Sequence, residues 1–404
     1  MADERIIVIG AGQAGASLVA GLRSGGHSGP ITLIGAEPVP PYQRPPLSKK
    51  YLLGDMALER LFLRPESFYA DNDITLKLDA VVTQIDRIAQ TVTLSTGDTL
   101  EYDKLALTTG SSPIKLPEAM TKGLGGIYLM RDLADADALA PHMIEGRRAL
   151  VVGGGYIGLE AAAVLAARGV QVTLVELADR LLARVAAPET ADYFRTLHTR
   201  HGVDIREGVG LAGLAGDGTV QSATLSDGST LDIDLVLVGI GIRPGTALAE
   251  AAGLTLDNGI AVDALGQTSD PAIYAAGDCA SFPYKDGRIR LESVPNAIEQ
   301  AEVAAAAMLG GQEQYRAKPW FWSDQYDVKL QIAGLNTGYT TTVTRPGARE
   351  GSQSVWYFDE GELLAVDAMN APREYMMAKR LIEAGKTLSP DAAADPNTDL
   401  KALL

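Results

Sequence analysis

The chain has 404 residues, too many for one ordinary hydrophobic core, so two or three domains are expected. With 46% hydrophobic and 21% charged residues it reads as a globular enzyme, which excludes a disordered or fibrous chain. A formal net charge of −16 argues against general binding to nucleic acid or anionic membranes, and no apolar run is long enough to span a bilayer.

The opening "MADERIIVIG" sets charges directly before a strand and lacks the basic n-region of a signal peptide, so a cytoplasmic protein is expected. A strand is predicted at 5–9, then a glycine turn, a helix at 15–23, a strand at 31–34, and Glu37. Strand, tight turn, helix and parallel strand make a βαβ unit. Its turn carries Gly10, Gly12 and Gly15 in the spacing G-x-G-x-x-G. The first glycine permits the tight turn and the second lets the backbone approach a pyrophosphate. The third lets helix pack on strand while the helix N–H groups meet the phosphates. Glu37 stands where an acid accepts ribose hydroxyls. Residues 80–100 then alternate apolar and polar with the turns "RIAQ" and "STGDT", which suits antiparallel strands.

The pattern returns as a strand at 149–152, a glycine turn, a helix at 158–168, a strand at 172–175 and Glu176. Gly153, Gly155 and Gly158 repeat the spacing. A carboxylate at Glu176 binds 2′- and 3′-hydroxyls and repels a 2′-phosphate, which favours NADH over NADPH. Arg180 and Arg184 follow, either diluting that preference or lining a solvated helix face. Two dinucleotide sites imply two dinucleotides, one held and one exchanged. A flavin with a nicotinamide is the pairing in which hydride passes between rings without a protein acid or base.

Next come a second meander around 225–231, with the turn "SDGS", and the apolar strands "LVLVGIG" and "IYAAGD". "PWFWSDQYDVKLQIAG", "TTTVT" and "SVWYFDEGELLAVDAMN" read as an antiparallel sheet. A helix over "PREYMMAKRLIEAG" begins at Pro372 and ends by Gly385. The last stretch, "SPDAAADPNTDLKALL", has little to pack and is expected to be mobile.

Across its whole length the chain resembles the two-dinucleotide-binding-domain flavoproteins. Within them it is most similar to the NADH-dependent ferredoxin reductases that serve bacterial cytochrome P450 and Rieske-type oxygenases. The resemblance implies an α/β fold of two Rossmann-like, glutathione reductase-like domains plus a C-terminal α+β domain. The expected divisions are 1–109 with 243–319 for FAD, 110–242 for NADH, and 320–404 for the C-terminal domain. "PYQRPPLSK" resembles the family's flavin-side loop, where Lys49 approaches the isoalloxazine and Arg44 lies near the cofactor. "TTG" supplies Thr109 and Gly110, "YLMRDLADAD" supplies Arg131, and "IYAAGD" supplies Gly277 and the ribityl- or pyrophosphate-binding Asp278. "ESVPNAIEQA" resembles the helix start beneath the flavin, with Val294 donating a backbone N–H. Trp322, in "FWSDQ", is expected to reach the flavin.

Val82 matches a backbone adenine contact, although alone it is a strand valine. Ala14 joins the first cofactor turn, Tyr156 and Ile157 the second, and Gly241 the nicotinamide side. Glu160 either faces the nicotinamide or charges the first helical turn. Some relatives carry the ribose acid where this chain has Ala36, so Glu37 must act from the next position.

The wider family includes enzymes with Cys-x4-Cys or Cys-x-x-Cys pairs, or one redox cysteine beside the flavin. Here that region, "PPYQRPPLSKKYL", has no sulfur. The only cysteine, Cys279, is read as a small buried residue, excluding an internal disulfide, an all-cysteine metal site and a thiol relay. The flavin alone then stores the electrons.

The resemblance therefore implies FAD and NADH as cofactors and a [2Fe–2S] ferredoxin as acceptor, in a monomer or weak homodimer. Lys49 is expected to pair with Glu160 or another carboxylate. An acidic ferredoxin needs a local basic patch, from Lys49, Lys50, Arg60, Arg64, Lys285, Arg288 and Arg290. The alternatives are a rubredoxin reductase, an NADH diaphorase, and a flavoprotein like apoptosis-inducing factor.

Overall fold

The structure, a computed structural model, describes residues 3–403. The chain folds as two compact units. One comprises the residues up to Gln43, Leu58–Ser112 and Ile242–Pro319; the other comprises Arg44–Ala57, Pro113–Gly241 and Trp320 onward.

The first unit is built on a parallel sheet in the order Ile273–Ala275, Lys104–Leu107, Ile6–Ile9, Ile31–Ile34, Ile74–Lys77. Its central strand reads "IIVI" and is buried throughout, as a strand covered on both faces must be. Ile6 and Val8 face the helices Gln13–Ser24 and Val294–Met308, packing with Leu18, Leu22, Ala301 and Met308. Ile7 and Ile9 point the other way, toward Val92, Leu105 and Val262. The expected meander is present as Val82–Asp86, Thr91–Leu94 and Thr99–Glu101.

The second unit repeats the plan. Its parallel sheet runs Asp204–Glu207, Gln171–Glu176, Arg148–Val152, Leu235–Val238, Ile127–Tyr128. The helix Tyr156–Ala167 is apolar almost all round and buried from Gly158 to Leu165, with one charged exception, Glu160. Residues 44–57 also pack here: Arg168 donates to the Leu53 carbonyl at 2.8 Å and Tyr51 to Asp137 at 2.7 Å. The C-terminal sheet, Trp320–Gln325, Val328–Gly334, Glu362–Met369, Gln353–Asp359, Thr341–Pro346, is antiparallel throughout. The helix Pro372–Glu383 seals one face through Tyr375, Ala378 and Leu381.

Three expectations need correction. Both glycine-turn helices begin two residues earlier than predicted, at Gln13 and Tyr156. Gly12 and Gly155 are extended N-caps, so the third glycine of each motif lies inside the first turn. Arg5 lies outside the first strand (Ile6–Ile9), its guanidinium and N–H engaged by Asp103. The C-terminal stretch is packed, not loose. Leu388, Ala393 and Leu400 are buried, and the guanidinium of Arg345 collects the carbonyls of Ala393, Asp395, Pro396 and Thr398. One rigid donor fork thus satisfies acceptors that an irregular segment cannot satisfy itself.

Asp367 ties this sheet to the helix Pro188–Arg200. Its Oδ2 accepts from Thr190 at 2.8 Å and from the Tyr357 hydroxyl, while Oδ1 is buried without a partner. Burial, opposed by these donors, pushes the carboxyl from 3.8 up to about 6. A raised carboxyl value means that the folded chain holds a proton the unfolded chain has lost. The stability this confers is full below about pH 4 and disappears as pH rises through about 6. Asp367→Asn should therefore gain stability relative to the parent between pH 4 and 7, on the order of 3 kcal/mol. Denaturant unfolding of both proteins at the two pH values checks this; a constant difference would refute it.

Candidate functional site

The two glycine turns share one geometry. Gly10 has φ +111° and Gly153 φ +107°, values that L side chains rarely adopt. A Cβ at Gly10 would fall within 3.0 Å of the Thr108 carbonyl oxygen, and one at Gly153 within 3.0 Å of that of Gly239. A Cβ at Gly15 or Gly158 would likewise strike the carbonyl of Gly10 or Gly153. The outer glycines are thus required by the protein's own packing. The middle ones differ: a Cβ at Gly12 or Gly155 meets nothing within 4 Å. The helices that start there have no side-chain cap and no acidic residue in the first turn. Their first N–H groups and positive dipole ends remain for an anion, and the open space beside Gly12 and Gly155 admits it. The residues present fit the diphosphate of a dinucleotide, twice.

Glu176 ends its strand beside the second turn. Its Oε2 accepts from Gly154 N–H at 2.6 Å and its Oε1 from Ala178 N–H at 2.8 Å. Two backbone donors hold the carboxylate in one orientation, with further lone pairs left for hydroxyl donors. Glu37 in the first unit accepts from the Tyr42 hydroxyl at 2.6 Å. Arg180 does not line a helix face. It lies on a loop, and its guanidinium clamps the carbonyls of Ala186 at 2.7 Å and Ala183 at 3.1 Å. Arg184 is exposed.

Within the first unit, Asp278 accepts from Ser111 at 2.9 Å, and Gly277 donates its N–H to Gln300 at 2.9 Å. Gly277 lies against Ala14, where a Cβ would come to 3.0 Å of the alanine methyl. Thr109 donates to the Gly245 carbonyl, and Gly110 has φ +63°. Val82 is buried at the head of its strand, and Val294 opens a helix capped by Ser293. Cys279 is wholly buried with its thiol on the carbonyls of Leu107 and Ala276, and burial pushes that thiol up. It is inert packing, as read from the sequence.

Within the second unit, Arg44 donates to the Arg131 carbonyl at 3.0 Å. Lys49 interrupts the short helical turn Leu47–Tyr51, and its Nζ meets Glu160 Oε2 at 2.7 Å and the Pro45 carbonyl at 3.2 Å. Glu160 is 3% exposed. Besides Lys49, it accepts from Ser48 at 2.6 Å on Oε2 and from Ser323 at 2.7 Å on Oε1. The expected pairing is present, and the helix-charging alternative fails, because Glu160 lies beyond the first turn. Ser48 and Ser323 were not anticipated. Ser323 and Gln325, polar and buried at alternate positions of one strand, were the available signal. Trp322 is half-buried and stacks on Trp320 with centroids 5.6 Å apart; Tyr156 lies 4.9 Å from Phe321. Ile157 is exposed and Gly241 has φ +112°.

The basic residues divide. Lys49 is consumed by its pair, Arg290 by Glu292 and the Asp278 carbonyl, and Arg288 by the carbonyls of Val262 and Ser281. Lys50, Arg60, Arg64 and Lys285 remain exposed. Among the described residues no group of three or more His, Cys, Asp or Glu is placed to hold a metal ion, and no helix is long and apolar enough to cross a membrane.

Comparison with known proteins agrees with this geometry. Residues 4–301 match the family described as pyridine nucleotide-disulphide oxidoreductase, and residues 320–404 match a reductase C-terminal domain. A ferredoxin–NAD(P)+ reductase of Sphingomonas sp is 43% identical over 401 residues, covering 98% of this chain and 96% of the relative. Rhodocoxin reductase of Rhodococcus erythropolis is 44% identical over 399 residues, covering 98% and 93%. Among solved structures, the putidaredoxin reductase of a covalent complex with putidaredoxin superposes with a TM-score of 0.96 at 40% identity, covering 100% and 98%. The chain belongs to the pyridine nucleotide-disulphide oxidoreductase family, in the form that carries a reductase C-terminal domain.

Proposed function

We propose that the protein is an NADH-dependent ferredoxin reductase, carrying electrons from NADH through FAD to a [2Fe–2S] ferredoxin that feeds a cytochrome P450 or Rieske-type oxygenase. The observation that carries this reading is the pair of open glycine cradles in a chain whose only thiol is buried. Relatives of about the same length are ferredoxin and rhodocoxin reductases, in accord with it.

FAD, when bound, would supply a hydride acceptor that gives up its two electrons singly, so that each NADH would serve two ferredoxins and yield one proton. The protein's residues bind, orient and exclude. In the first unit, Gly10, Gly12, Ala14 and Gly15 form the diphosphate turn, with Glu37 for the ribose. Val82, Thr109, Gly110, Gly277, Asp278 and Val294 complete that FAD set, and Arg44, Arg131 and Trp322 are assigned to the same cofactor by resemblance. In the second unit, Gly153, Gly155, Tyr156, Ile157 and Gly158 receive NADH, with Gly241 and Arg184 counted alongside. Glu176, held by Gly154 and Ala178, meets the 2′- and 3′-hydroxyls and repels a 2′-phosphate. Lys49 and Glu160 are assigned to the reacting rings, as an ion pair of a half-buried lysine and a buried, hydrogen-bonded carboxylate that does not wander. No sulfur takes part, because Cys279 is enclosed and hydrogen-bonded. The NADH substrate and the single enclosed thiol also support a cytoplasmic location.

Three measurements test this reading. Stopped-flow mixing of NADH-reduced protein with a [2Fe–2S] ferredoxin should reoxidise the flavin in two one-electron encounters. Acceptance by rubredoxin alone, or by neither, would refute the assigned acceptor. Glu176→Arg should shift relative kcat/KM from NADH toward NADPH by roughly ten- to hundredfold, the loss of one or two charged hydrogen bonds; an unchanged ratio would remove Glu176 from the ribose. Gly155→Val should leave the melting temperature unmoved while NADH binding weakens at least tenfold by titration, whereas Gly158→Val should lower the melting temperature itself. Equal effects of the two substitutions would contradict the open cradle.

A further inference from the structure

A line of buried polar side chains leaves Glu160 in the direction away from Lys49. Ser323 donates to Glu160 Oε1 at 2.7 Å, and Gln325 Nε2 donates to Ser323 Oγ at 3.2 Å. Gln325 Oε1 meets His198 Nε2 at 2.8 Å, and an amide oxygen only accepts, so Nε2 carries the hydrogen. His198 Nδ1 is then the acceptor for the Tyr326 hydroxyl, 3.3 Å away. Beyond Tyr326 the chain ends at exposed His201, stacked on the Tyr326 ring at 3.6 Å. Ser323, Gln325 and His198 are each no more than 1% exposed. All four donors therefore point the same way, toward one carboxylate oxygen.

We propose that Ser323, Gln325 and His198 are positioning residues for the hydride step: they anchor Glu160 by Oε1, so that Oε2 is presented to Lys49 and the ammonium is fixed in place. The inference rests on the function proposed above. Aligned hydrogen bonds polarise one another in a dry interior, and bonds donated to a carboxylate stabilise its charge. Oε1 and Oε2 have separate duties: Ser323 holds one, and Lys49 and Ser48 share the other. Were Oε1 released, the carboxylate would pivot on Lys49 and carry the ammonium with it.

His198 is well suited to its place in the chain. Burial pushes its imidazole down to about 4, against the donation to Gln325, so it stays neutral with a single N–H. That N–H sets the Gln325 amide, which sets the Ser323 hydroxyl. The titratable groups facing the chain are Lys49 and Glu160 at one end and His198, Tyr326 and His201 at the other.

The test is Gln325→Leu, which cuts the chain in its middle and leaves the ion pair's own side chains in place. At saturating NADH the rate of flavin reduction should fall about tenfold, with the NADH dissociation constant unchanged. The midpoint potential of the bound flavin, a property independent of turnover, should move lower as the ammonium is no longer held. In a Glu160→Gln background the same substitution should have no further effect. His198→Phe should reproduce Gln325→Leu, whereas His198→Gln, which restores a donor, should recover most of the parental behaviour. Should Gln325→Leu fail to fold, the His198 pair makes the same comparison. Parental rates and potential in the cut variants, or full effects in the Glu160→Gln background, would overturn the proposal while leaving the reductase intact. A parent that NADH does not reduce would overturn both.

Discussion

No side chain fits at Gly15 or Gly158. Each helix crosses so close to the end of its strand that a single carbon would strike a backbone carbonyl. That close approach seats the helix N-terminus over the strand end and leaves the middle glycine facing empty space. It also places the acid at the end of the next strand beside the turn, as the Glu176–Gly154 bond shows. A fold that gave up the approach would lose the cradle, the anion-attracting dipole and the register of the acid together.

Building the same device twice decides the chemistry in outline. One cradle would mean a bound nucleotide; two mean a transfer between nucleotides. What distinguishes this chain from disulfide-reducing relatives is a subtraction. The thiol that remains is enclosed, hydrogen-bonded and pushed toward its protonated form, so it has neither the exposure nor the charge of a redox sulfur. Electrons must then leave from the flavin itself, and the protein's task is position, not covalent chemistry.

Position is where the buried polar groups of the second unit concentrate. Glu160 sits in a helix of otherwise apolar residues and would be ruinous there unpaired. Lys49, Ser48 and Ser323 saturate it, and behind Ser323 the line through Gln325 to His198 gives the arrangement a direction. Asp367, by contrast, keeps one oxygen unpartnered, and its raised carboxyl value records the cost. Glu160, unlike Asp367, has a donor on each of its two oxygens.

The sequence alone determined the duplicated βαβ units, the glycine turns, the acids Glu37 and Glu176 and the absence of a thiol relay. All of these are local: a short apolar run, a glycine spacing, or a count of cysteines. It also put Lys49 and Glu160 among the functional residues and suggested that they pair. Tertiary structure alone decided that Ser48 and Ser323 meet at Glu160 with Gln325 and His198 lined up behind them, that Arg180 and Arg290 are clamps, and that the C-terminal stretch is packed under Arg345. Their donors and acceptors lie up to 163 residues apart in the chain, as Ser323 is from Glu160. Periodicity reports which face of an element is buried. It carries no record of which distant polar group will be waiting there, because that depends on how the elements pack and not on the spacing within any one of them.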